Sequence, residues 1–122
     1  MKPAAAYILN QPEPFKSILM HLQLLIETSF PEVELLFKWK LPFYYLADKP
    51  LCYLNVSKKK GYVDVAFYTK RDLEKYNEFL ISENRKVVKS LRYKNSKEID
   101  LAVLRSVLEE AYQQTNKGFF GK

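Results

Sequence analysis

Hydrophobic and polar positions alternate most cleanly between Pro31 and Phe43, PEVELLFKWKLPF. Val33, Leu35, Phe37, Trp39 and Leu41 share one face of an extended chain, and Glu32, Glu34, Leu36, Lys38 and Lys40 share the other. The pattern predicts a strand with Trp39 buried beneath a helix and Lys38 and Lys40 turned outward. Pro42 closes it at a corner, and Phe43 opens a second short strand reaching Ala47. Upstream, Phe15, Ile18, Leu19, Leu22, Leu25 and Ile26 recur at helical spacing, which predicts a helix from about Glu13 to Ser29, ended by Pro31. Pro3 to Asn10 reads as a short helix that packs Tyr7 and Ile8 onto the domain.

Downstream, Leu51–Val56 and Tyr62–Tyr68 read as strands joined by Ser57-Lys58-Lys59-Lys60-Gly61. Cys52, Leu54, Val56, Val63, Val65 and Phe67 should face inward. Lys86–Tyr93 reads as a fifth strand. A last helix starts at Ser96 or Asp100 and runs to about Thr115, with Leu101, Leu104, Leu108, Ala111 and Tyr112 as its buried stripe. Between Thr69 and Asn84 the pattern is less regular; Thr69 could cap a short helix carrying Leu73, Tyr76, Phe79 and Leu80. The order of elements predicts one α+β domain over residues 1–122. It is a two-layer sandwich in which N- and C-terminal helices cover one face of a mostly antiparallel five-stranded sheet. Residues 1–10 form a helical turn and residues 116–122 a tail.

Composition narrows the function. The chain has 122 residues, 48% of them hydrophobic, so a full core is within reach. A lone cysteine, Cys52, excludes an internal disulfide, and with no apolar leader at MKPAAAYILN it points to the cytoplasm. No segment is apolar enough to span a membrane. One histidine and one cysteine cannot close a zinc site, and three glycines form no phosphate loop. His21, on the long helix, and Cys52, on a strand, read as packing residues and not as a nucleophile pair, so no residue is assigned to catalysis.

Net charge is +6, with nine tyrosines and eight phenylalanines. If the alternation holds, Lys38, Lys40, Tyr62, Tyr68, Arg92 and Lys94 lie on the outward sheet face, with Lys58, Lys59 and Lys60 at its rim. Lysines track phosphates and tyrosines stack bases, so this face is the expected site for nucleic acid or another polyanion. The same Tyr-rich face, with Leu36 and Tyr53, or the Phe119-Phe120 tail, is the expected site for a protein partner or a homodimer.

The order of parts also resembles a known family. Tyr7-Ile8-Leu9, a helix ending in Phe30-Pro31-Glu32, the corner Phe37-Lys38-Trp39-Lys40-Leu41-Pro42-Phe43, and Leu91-Arg92-Tyr93 followed by Glu98-Ile99-Asp100 are similar to the YdhG-like family, a bacterial domain of unknown function. Trp39, Pro42 and Phe43 form its most specific piece and would be structural. The resemblance implies a frataxin-like fold and, from one branch, an iron-chaperone role. It makes Glu27, Glu32 and Glu34, at the helix-to-strand corner, the candidate iron ligands. The overall expectation is a non-enzymatic cytoplasmic binding module.

Overall fold

The computed structural model describes residues 2–69, 79–83, 85 and 88–116. α1 (Pro3–Leu9) starts on a proline, whose missing N–H costs nothing in a first turn, and stops before Pro12. α2 (Phe15–Ser29) follows, with the Ser17 amide donating to Glu13 Oε1 at 3.0 Å. Its buried stripe is Phe15, Ile18, Leu19, Leu22 and Ile26. Phe30, held extended by Pro31, ends it.

Five strands then run as an antiparallel meander in chain order: β1 (Glu34–Lys38), β2 (Leu41–Leu46), β3 (Lys49–Ser57), β4 (Tyr62–Tyr68) and β5 (Val88–Tyr93). A short 3-10 turn at Ser96–Glu98 leads to α3 (Leu101–Asn116). Asp100 caps α3: its Oδ1 accepts the amides of Ala102 at 3.0 Å and Val103 at 3.3 Å. Among the described residues, no helix is long and apolar enough to cross a membrane.

The helices share one face of the sheet and close a single core. α2 brings Ile18, Leu19, Leu22 and Ile26, and α3 brings Leu104, Val107, Leu108 and Ala111. The sheet answers with Tyr44, Cys52, Leu54, Val63, Val65, Phe67, Leu91 and Tyr93. Leu51 joins them although it adjoins Cys52. The register jumps from Tyr44↔Cys52 to Tyr45↔Pro50, so Leu51 is the extra residue of a β-bulge and also turns inward. α1 adds Ile8, and its Tyr7 hydroxyl accepts the Val56 amide near the end of β3 at 3.1 Å. The buried Tyr44 hydroxyl donates to Glu27 Oε2 on α2 at 2.8 Å, which ties sheet to helix.

The layered α+β architecture and the antiparallel sheet agree with the pattern of the chain; three expectations do not. The first strand ends at Lys38, not beyond Leu41, because Trp39 and Lys40 both take left-handed backbone (φ 50° and 65°) and reverse the chain between the paired Lys38 and Leu41. Trp39 is therefore not core; it is 75% exposed. Pro42 does not close a strand. It is the second residue of β2, pairs with Phe37, and precedes the first β2–β3 pair, Phe43↔Tyr53. On α3, Leu101 is exposed, and Val107 takes a buried place instead. The helix expected from Leu73 lies outside the described residues. Thr69, its proposed cap, donates its hydroxyl to Gln114 Oε1 on α3 at 3.0 Å.

Three buried groups set the response to alkali. Burial pushes the Cys52 thiol far up, and likewise the hydroxyls of Tyr44, which also faces the Glu27 carboxylate, and Tyr93, where Asp100 adds to the rise. All three are neutral when protonated, so the folded state holds their protons more tightly than the unfolded chain does. Their contribution is complete below the unfolded pKa values and is lost as pH rises toward the folded ones. Urea unfolding should thus give constant stability up to about pH 8.5, then a fall of about 1.4 kcal/mol per pH unit for each group that ionises in the unfolded chain. Cys52→Ala should delay the onset to about pH 10, where tyrosine titrates. An unchanged onset in the variant would show that the thiol takes no part.

Candidate functional site

The two-residue reversal at Trp39-Lys40 is the type that matches strand twist, with positive φ at both central residues. Glycine and asparagine suit it; tryptophan and lysine do not, and each left-handed non-glycine residue costs about 1–2 kcal/mol. The turn holds the indole at the tip of a hairpin, leaning over the outer sheet face. Its ring lies 5.2 Å from that of Phe43. Phe43, on the outer face, is only 3% exposed because Tyr53 stacks on it at 4.8 Å and Tyr45 tilts against it at 6.2 Å. Tyr68 extends the row at 6.1 Å from Tyr53, and Lys38 Nζ sits 5.8 Å above the Tyr45 ring. Most of the outer aromatics are thus engaged with one another. Among them, the ring with most of its surface in water is the indole.

The meander fixes what lies beside it. Because each strand reverses the last, the β1–β2 turn, the β3–β4 turn and the end of β5 fall at the same end of the sheet. Lys58, Lys59 and Lys60 form the second of these reversals, closed by Gly61, whose left-handed φ of 78° lets its amide return to the Ser57 carbonyl at 2.8 Å. Strands lie about 4.8 Å apart, so the centres of the two hairpins lie about 10 Å from each other. Lys94, at the end of β5, joins the same end. Among the described residues, no ion pair engages Lys38, Lys40, Lys58, Lys59, Lys60 or Lys94. This end carries an excess of positive charge beside one exposed indole, offset in part by Glu83, whose carboxylate feels the charge of Lys60, and by Glu98, which accepts the Lys94 amide at 2.7 Å.

Arg92 does not add to it. Its Nε meets Asp64 Oδ1 at 2.9 Å, another guanidinium nitrogen meets Glu83 Oε2 at 3.0 Å, and the group lies 4.7 Å over the Tyr62 ring. Burial works against its charge, but the hydrogen bonds to Asp64 and Glu83 outweigh it, and its pKa is raised. Asp64 also accepts from the Ser90 hydroxyl at 3.1 Å, and Ser90 Oγ accepts from Arg85 at 2.9 Å. This network staples β4 and β5 to Glu83 and Arg85. Tyr62 and Tyr68 point outward as the alternation requires, but they are partly buried, Tyr62 under Arg92 and Tyr68 against Tyr53.

The carboxylates assigned to iron are spread out. Glu27 accepts from Tyr44, Glu32 Oε2 accepts from the Tyr112 hydroxyl at 3.0 Å, and Glu34 stands exposed at the start of β1. Among the described residues, no three His, Cys, Asp or Glu side chains are grouped to hold a metal ion. Cys52 is fully buried, and burial keeps its thiol protonated.

Fold and surface together define an α+β domain: a helix-backed antiparallel meander whose exposed indole and hairpin lysines share one end. The chain belongs to the domain of unknown function family DUF5655, whose model matches residues 4–115. Among solved structures it is similar to a DUF1801 family protein, YdhG, from Bacillus subtilis, with a TM-score of 0.71 and 14% identity over 98% of this chain and 97% of that one. The YdhG resemblance therefore holds as a likeness of fold. No curated protein matches.

Replacing the strained pair by the residues such a turn favours should separate stability from surface chemistry. Trp39→Asn with Lys40→Gly is expected to raise the unfolding free energy by about 1–2 kcal/mol, measured by urea denaturation. A loss of stability would mean that the indole's contact with Phe43 outweighs the backbone cost.

Proposed function

We propose that this protein is a non-enzymatic binding module that takes single-stranded nucleic acid at the lysine-rich end of its sheet. The observation that carries the reading is the 75% exposed Trp39, held in strained backbone among Lys38, Lys40 and the Lys58–Lys60 turn. Strain at an exposed aromatic residue is retained where the residue contacts something. Bases stack on an exposed ring without sequence preference, and lysines on the flanking turns follow the phosphates. The cytoplasm, where such ligands are met, is the compartment this reading requires. The binding centre differs from the one the alternation suggested: the open tip replaces the tyrosine face, whose rings are already stacked.

Fluorescence anisotropy with a labelled single-stranded RNA tests the reading. Binding should weaken linearly in log–log form as salt rises. Changing Lys58, Lys59 and Lys60 to alanine should lower that slope by about 2, at roughly 0.7 per phosphate contact. Trp39→Ala should weaken binding about 5- to 100-fold with the slope unchanged. Binding that ignores salt, or that survives Trp39→Ala intact, would end this reading.

A further inference from the structure

The two sheet edges are unlike. Ile81 covers the outer side of β5, exchanging two backbone hydrogen bonds of 2.9 Å with Ser90. β1 is paired only with β2, and among the described residues nothing bonds to its free side. A two-residue hairpin makes its flanking residues, Lys38 and Leu41, a hydrogen-bonded pair. Alternation then sends the backbone groups of Leu36 toward β2 and those of Leu35 and Phe37 to the free edge. An open edge of this kind is a template for another strand.

We infer that the edge of β1 joins a second copy of this chain in an antiparallel pair centred on Leu36. The strand reads Glu34-Leu35-Leu36-Phe37-Lys38 and is complementary to itself when reversed. Leu35 and Phe37 of one copy exchange all four edge hydrogen bonds with Phe37 and Leu35 of the other. Leu36 meets Leu36, and Glu34 lies opposite Lys38 at both ends. A lysine on an edge strand ordinarily repels self-pairing; here each lysine finds a glutamate, and opposite charges directly across a ladder are favourable. The contact is isologous and closes on itself, so it yields a dimer and not a filament. An open cleft of about 750 Å³ runs beside this edge, between Ala4 on α1 and Gln23 and Glu27 on α2. It leaves room next to Leu35 for Phe37 of the second copy, which is 38% exposed in the single chain. The dimer would be one continuous sheet with all helices on one side.

Sedimentation equilibrium with charge swaps tests the register. The intact chain should approach twice its 14.4 kDa with rising concentration. Glu34→Lys alone sets lysine against lysine, and Lys38→Glu alone sets glutamate against glutamate. Each should stay at monomer mass while far-UV circular dichroism shows it folded. Mixing the two variants should restore a dimer, because every charged pair is then opposite, and so should the double variant Glu34→Lys with Lys38→Glu. An intact chain that remains monomeric at its solubility limit overturns the inference. So does association that the single swaps leave unchanged, or a folded mixture and double variant that both stay monomeric.

Discussion

The left-handed backbone at Trp39 and Lys40 is the constraint from which the surface of this protein follows. Two positive φ values reverse the chain in the least possible length, and the twist of that reversal matches the twist of the strands it joins. The next two strands inherit their place from this hairpin. Pro42 falls where the β2–β3 ladder has not yet begun, Phe43 lands on the outer face, and Tyr44 turns inward to Glu27. Had the chain continued straight, the indole would have entered the core, and the outer face would have lost the ring that leans over Phe43.

The inner half of the molecule was legible because burial writes period into sequence. Val33 and Leu35 pack against the core as their alternation requires, β4 spans the residues its pattern marks, and Asp100 caps α3, whereas Phe37, expected to be buried with them, meets Tyr7 of α1 but stays 38% exposed at the open sheet edge. The errors lie where one residue changes the period. At Trp39 neither side chain announces a turn, and the apolar indole kept the alternation going past the true end of the strand. A better signal was present: eleven residues from Val33 to Phe43 exceed the usual strand of five or six, and Pro42 cannot donate within a ladder. Leu51 departs from the alternation for the same reason, since a bulge makes two neighbours face inward.

The outer half was less legible, because pattern shows which way a side chain points but not what it meets. Arg92 points outward, yet Asp64 and Glu83 take up its charge. Tyr53 and Phe43 point outward, yet they cover one another. The lysines of the two hairpin turns remain, and only the meander brings them to the same end as the indole. Glu27 and Glu32 show the converse: they are near in sequence, but each is drawn to a different tyrosine. Membership of DUF5655 and the fold shared with YdhG set the scaffold; the chemistry of the surface rests on this chain's own residues.

The placement of the indole decides the matter, and the chain has a single tryptophan to report it. Acrylamide quenching of its fluorescence should proceed in the native protein nearly as readily as in the urea-unfolded chain, with an emission maximum close to that of indole in water. A blue-shifted native emission, shielded from acrylamide until the protein unfolds, would return Trp39 to the core and remove both the turn and the surface built around it.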